Sequence, residues 1–209
     1  MQTLDYILKK YDINLDGPRP IEIRNTSRDD LPGLFHELGF TKGAEIGVWR
    51  GKYSLLFCRE IPDLEMLCVD PWIPYVEYKD HVRQDKLADA YNTARKNLAP
   101  YNCTLIRKFS MEAAKEIPDE SLDFVYIDAN HSFCDVVNDL TEWSKKVRKG
   151  GIVSGHDYKV FDESLFIHVC EAVNGFVKAN YIEPWFVLGR SRVRRGEKVD
   201  KVRSYMWVK

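Results

Sequence analysis

Two groups of residues in this chain have the types and spacing to do chemistry. The first is Gly43-Ala44-Glu45-Ile46-Gly47-Val48-Trp49-Arg50-Gly51, with Asp70 closing the next apolar run. Gly47 and Gly51 lack a Cβ, so the backbone can turn sharply and lie close to a bound molecule. The spacing is G-x-x-x-G; the middle glycine of the G-x-G-x-x-G dinucleotide fingerprint is missing. Glu45, just before the turn, would repel a pyrophosphate but suits an ammonium group. Asp70 stands where a carboxylate can accept both hydroxyls of a ribose. Two acids around a glycine turn point to a nucleoside that bears an amino acid and no phosphate. The plainer reading is a strand-to-helix turn and a surface aspartate that bind nothing.

The second group is Asp128-Ala129-Asn130-His131 with His156-Asp157. Asp128, His156 and Asp157 offer two carboxylates and an imidazole. Such a set can hold a divalent cation such as Mg²⁺ with positions left open to polarise an acceptor hydroxyl. Alternatively His131 or His156 acts alone as general base, because an imidazole titrates near neutrality. In a third reading the aspartates cap loops and the histidines bond backbone.

Alternating strands and helices must position these groups. Ala44, Ile46 and Val48 suit a buried strand, and Ser54 to Glu60 the helix after it. Further strands are expected at Leu64–Asp70, Thr104–Phe109, Leu122–Asp128 and Gly151–Tyr158. Helices are expected at Asp85–Leu98, Phe133–Val147 and about Glu163–Ala179, with Ser110 capping a short one near the place of a nucleoside base. Pro184–Gly189 and Ser204–Val208 read as two last strands joined by a basic loop. That alternation implies an α/β, Rossmann-like, doubly wound and mostly parallel sheet, with ligands at the carboxyl ends of its strands. Seven strands are expected in all. Residues 1–40 read as a helical extension, with one helix on Leu4, Ile7, Leu8 and Tyr11. A second helix, capped by Ser27, carries Leu31, Leu34, Phe35 and Leu38. Residues 41–209 form the Rossmann-like domain. Pro71–Tyr78, rich in aromatics, suits a lid or acceptor-binding wall, or a loop packed on itself.

Composition narrows the partners. A net charge of −1 favours neither nucleic acid nor an acidic membrane. No apolar run is long enough to span a bilayer, and Met1–Tyr6 lacks the basic start and apolar core of a signal peptide. The five cysteines are dispersed and read as reduced core residues, which suits a cytoplasmic protein. Arg190, Arg192, Arg194, Arg195, Lys198, Lys201 and Arg203 crowd one loop. With no aromatics interleaved, a solvated hairpin is favoured over a nucleic-acid site. A homo-oligomer is compatible with the chain.

These residues resemble the class I S-adenosylmethionine-dependent methyltransferases. The segments that carry the resemblance are Glu45–Gly51, Asp70, Ile127–His131 and Gly150–Tyr158. The pairing of I-D-x-x-H with G-G-x-x-x-x-H-D-Y is most similar to small-molecule O-methyltransferases related to macrocin O-methyltransferase. The resemblance implies that Glu45, Gly47, Val48 and Gly51 surround the amino-acid end of S-adenosylmethionine. Asp70 would hold the ribose, and Ser110 and Met111 would flank the adenine. Asp128 would lie near the sulfonium and, in metal-using relatives, would ligate together with Asp157. It also implies that the last two strands form an antiparallel hairpin. Ala129 departs from the glycine usual there, and the N-terminal region is short. The expected activity is methyl transfer to a small-molecule hydroxyl. The rivals are an NAD-dependent oxidoreductase, opposed by Glu45 and the missing glycine, and a non-catalytic binding protein of the same fold.

Overall fold

Apolar runs build one eight-stranded sheet in the order β1-β7-β8-β6-β5-β2-β3-β4. The structure is a computed structural model and describes residues 2–74, 83–162, 167–192 and 195–209. The strands are β1 (Ile21–Ile23), β2 (Lys42–Ile46), β3 (Glu65–Val69), β4 (Cys103–Ile106), β5 (Leu122–Ile127), β6 (Val147–Tyr158), β7 (Trp185–Leu188) and β8 (Arg203–Val208). The helices are α1 (Thr3–Lys10), α2 (Leu31–Glu37), α3 (Lys52–Glu60), α4 (Gln84–Leu98), α5 (Ser110–Ala114), α6 (Phe133–Lys146) and α7 (Val169–Ala179). Only β8 runs against its neighbours β6 and β7; the other pairings are parallel.

Helices cover both faces, which is why β5 and β7 are apolar almost throughout and do not alternate. One core layer packs Phe35, Phe57, Phe124 and Tyr126 under α1 to α4. The other packs Val125, Leu140, Trp143, Val153 and Val173 under α5 to α7. From β2 the chain winds outward through β3 to β4, then returns to β5 on the other side of β2. The gap above β2 and β5 is thus the topological switch point, where α/β sheets bind ligands.

The sheet carries one strand more than the seven expected. β1 lies inside the segment read as a helical extension and pairs parallel with β7, Ile21 opposite Phe186 and Ile23 opposite Leu188. Ile21 and Ile23 are buried while Glu22 between them is not, but three residues beside Pro18 and Pro20 are too short a period to read. Ser27 precedes a 3-10 turn (Arg28–Asp30) rather than α2 itself, and the Asp30 carboxylate accepts from the Ser27 amide at 2.8 Å. Tyr75–Tyr78, Arg194 and the expected helix start at Glu163–Phe166 lie outside the described residues.

The five cysteines are free: Cys58, Cys68 and Cys170 are buried, Cys103 half-buried, and Cys134 is exposed. The basic loop is tied down by ion pairs. Lys198 meets Asp30 at 2.5 Å, Arg203 meets Glu22 at 2.7 Å and Arg190 meets Glu197 at 3.4 Å. Its charges therefore dock the hairpin on the N-terminal segment. Among the described residues no helix is long and apolar enough to cross a membrane.

Candidate active site

A cleft of about 1000 Å³, counting the space up to its mouth, opens at the switch point. Of the residues expected around a cofactor, Gly47, Asp70, Ser110, Met111 and Asp128 line it. Glu45, Val48 and Gly51 do not.

Gly47 is required by chain crossing. Its φ is +91°, and a Cβ there would lie 2.0 Å from the Asp128 carbonyl oxygen. The end of β5 passes directly over the turn, with the Asp128 amide donating to the Ile46 carbonyl at 2.8 Å. Gly51, at φ +69°, is the N-cap of α3, where a Cβ would sit 3.0–3.3 Å from Leu98 and Ala94. Val48 is buried in the core beneath the turn.

Glu45 projects to the α3 side of the sheet, because successive residues of a strand alternate faces. It is buried, and the Ser54 hydroxyl donates to its carboxylate. Burial pushes the Glu45 carboxyl up to about 8, against the hydrogen bond from Ser54. The folded chain thus keeps the proton while the unfolded chain, near 4.5, has already lost it. Stability then falls as pH rises from about 4.5 to about 8 and levels off above that. Glu45→Gln is expected to abolish this slope, gaining on the order of 3 kcal/mol over wild type between about pH 5 and pH 8. Thermal unfolding across that range checks it; parallel profiles for the two proteins would refute it.

Asp70 organises the turn as well as facing the cleft. Its carboxylate accepts from the amides of Trp49 at 2.9 Å and Trp72 at 2.8 Å. The Trp72 indole donates to the Trp49 carbonyl at 2.7 Å, which locks the two loops together. Burial raises the Asp70 carboxyl, and the backbone bonds offset part of the rise.

On the opposite wall, Ser110 is the first residue of α5 and not its cap. Glu112 reaches back to the Phe109 amide at 3.3 Å. The Ser110 hydroxyl instead donates to Asp139 and accepts from the Trp143 indole at 2.7 Å. Burial pushes the Asp139 carboxyl up to about 7 against that bond. Sequence reasoning missed Trp49, Lys108, Phe109, Asp135, Asn138 and Asp139 in the lining. The last three fall on one face of α6 at spacings of three and four, a signal that was readable.

Beside the cleft, Asp128, His131 and Asp157 bring three ligand atoms within 4.8 Å of one another. The expected set named His156 in place of His131. His156 stands close by, its Nδ1 3.3 Å from Asp157 and 3.8 Å from Asp128. His131 Nε2 lies 3.1 Å from Asp157 and 3.8 Å from Asp128. Burial would lower the His131 imidazole, but its bonds to Asp128 and Asp157 outweigh that and push it up to about 10. Burial would raise Asp157, yet the two histidines hold it well below the usual carboxylate range. Two carboxylates and an imidazole on converging loops can ligate a divalent cation.

Arg28, unforeseen, also reaches this rim. Its Nη1 is 3.7 Å from Asp128 Oδ2, and its guanidinium lies over the Tyr53 ring at 5.2 Å. Nothing local in the sequence marks Arg28, because the N-terminal segment reaches Asp128 only through tertiary packing.

Comparisons with known proteins bear on the fold and the family. No curated protein matches the chain. Among solved structures, the O-methyltransferase TomG from Streptomyces achromogenes, involved in tomaymycin synthesis and in complex with S-adenosylmethionine, is similar. It is 14% identical with a TM-score of 0.62 over 100% of this chain and 90% of that one. The O-methyltransferase from Bacillus cereus, in complex with S-adenosylhomocysteine, is 17% identical with a TM-score of 0.61 over 99% and 90%. Cofactor-bound Rv0187 from MTB is 15% identical with a TM-score of 0.62 over 99% and 89%. At such identities these likenesses show a shared fold. A family model described as a methyltransferase domain matches residues 44–158, from β2 and the glycine turn through His156 and Asp157. That match covers more than half of the protein, and the chain belongs to this methyltransferase-domain family.

Proposed function

We propose that this methyltransferase transfers the methyl group of S-adenosylmethionine to a hydroxyl of a small-molecule acceptor. The observation that carries the reading is the juxtaposition at Asp128, which lines the cleft at the switch point and belongs to the carboxylate–imidazole cluster. Among the described residues, Asp70, Asp128, Asp135 and Asp139 line the cleft against a single lysine, Lys108. Such a wall repels a diphosphate and tolerates a cationic sulfonium, which opposes the NAD alternative.

S-adenosylmethionine supplies a methyl carbon activated by sulfonium charge, so the protein must chiefly align donor and acceptor. A carboxylate has about four lone-pair sites, so Asp70 can hold its backbone partners and still accept ribose hydroxyls. Phe109 and Met111 offer apolar surface for the base. Asp128 places negative charge beside the reacting end of the cleft. Asp128, His131 and Asp157 would hold a divalent cation, which would lower the pKa of an acceptor hydroxyl. His156, beside both carboxylates, is then the imidazole placed to accept the hydroxyl proton.

Calorimetry should show binding of S-adenosylhomocysteine and none of NAD; binding of NAD alone would overturn the reading. A screen of small phenols and alcohols with methyl-labelled cofactor should then find label transfer. Chelator should slow that transfer by about tenfold or more, with Mg²⁺ restoring it. Undiminished transfer in chelator would leave a histidine base acting without metal.

A further inference from the structure

We infer that Arg28 binds the α-carboxylate at the amino-acid end of the cofactor. The assignment rests on the S-adenosylmethionine reading above and adds a residue from outside the matched segment 44–158.

The charge pattern of the cleft motivates it. A ligand with an amino-acid end brings a carboxylate as well as an ammonium group. Four aspartates line the cleft, and those that are ionised would repel that carboxylate. Lys108, the cation in the described lining, is paired with Glu116 and leads into α5, at the end assigned to the base. His131 and His156 lie against Asp157 and Asp128. Of the described cations beside Asp128, that leaves Arg28, which meets Asp128 at 3.7 Å.

Its geometry suits the task. The 3.7 Å separation from Asp128 is an ion pair without a tight hydrogen bond. A guanidinium carries five N–H donors in a planar fork that matches a carboxylate. The guanidinium also hydrogen-bonds the Tyr126 side chain, but the Arg28 side chain is 38% exposed, so part of that fork remains open. The backbone at Arg28 is fixed from three sides. Its carbonyl accepts from the Tyr53 hydroxyl at 2.7 Å, its amide donates to Asp200 at 3.3 Å, and the Ser27–Asp30 turn encloses it. Packing over the Tyr53 ring, in the first turn of α3, holds the guanidinium near the helix that opens the cofactor turn. The N-terminal segment thus places one positive charge beside Asp128, which itself lines the cleft.

The test compares S-adenosylhomocysteine with 5′-methylthioadenosine, which keeps the nucleoside thioether and lacks the amino-acid group. Affinities are measured by calorimetry for wild type, Arg28→Met and Arg28→Lys. Arg28→Met should weaken S-adenosylhomocysteine by about 10- to 100-fold, the range expected for a charge-assisted pair. Its affinity for 5′-methylthioadenosine should stay within about twofold, which also reports an intact fold. Arg28→Lys should fall between, since it keeps the charge and loses the fork. Unchanged binding of S-adenosylhomocysteine by Arg28→Met overturns the assignment. So does a parallel loss of both ligands, which would mean that Arg28 supports the nucleoside site as a whole. If wild type binds neither ligand, the cofactor reading itself fails.

Discussion

Asp128→Asn is expected to lower methyl transfer by about a thousandfold while leaving the fold intact. Asparagine keeps the shape of the side chain and its place above Gly47, so the backbone crossing between β2 and β5 survives. What is lost is a negative charge at the side chain that, among the described residues, cleft and cluster share. That charge is one of two carboxylates available to a cation, and it is the carboxylate that faces the cleft. It also sits within 3.8 Å of His131 and His156 and 3.7 Å from Arg28, so its removal leaves three cationic or basic groups around one remaining aspartate. Initial rates with methyl-labelled cofactor measure the effect, and Mn²⁺ titration should show weakened cation binding in the same protein. A rate within about tenfold of wild type would remove Asp128 from the chemistry.

Gly47→Ala is expected to destabilise the chain by about 3 kcal/mol or more, through overpacking and backbone strain together. The added methyl would have to occupy space 2.0 Å from a backbone carbonyl oxygen and 2.8 Å from the Ala129 Cα. Neither neighbour is the flexible end of a side chain. The φ of +91° adds strain for any residue with a Cβ. Relief requires β5 to lift away from β2, which moves Asp128 out of register with the cleft. Denaturant unfolding should therefore report the loss of stability, and calorimetry a loss of S-adenosylhomocysteine binding. An alanine variant with wild-type stability and affinity would show that the crossing can open without consequence.

The two experiments separate what was legible in the chain from what was not. The strand–glycine turn–helix unit, the acid closing β3 and the polar groups ending β5 and β6 were all readable, because each depends on residues adjacent in sequence. β1 was not readable: three residues show no period, and their partner β7 lies far along the chain. The direction of Glu45 was misjudged for a related reason. Counting positions places it beside the glycine turn, whereas strand alternation turns its carboxyl under α3 to Ser54. Ser110 looked like a cap until Asp139 and Trp143, one helix away, claimed its hydroxyl.

By itself the amino-acid order determined the α/β class, the switch-point cleft and the residue types at its rim. These follow from local periodicity and from where turns must fall, and both are short-range properties of a chain. Tertiary structure alone decided that Asp128 both lines the cleft and joins the carboxylate–imidazole cluster, and that His131 converges with the carboxylates. It also decided that Arg28 arrives from the N-terminal segment. Those facts depend on side chains from distant segments meeting within a few ångströms, and no spacing along the chain encodes such a meeting.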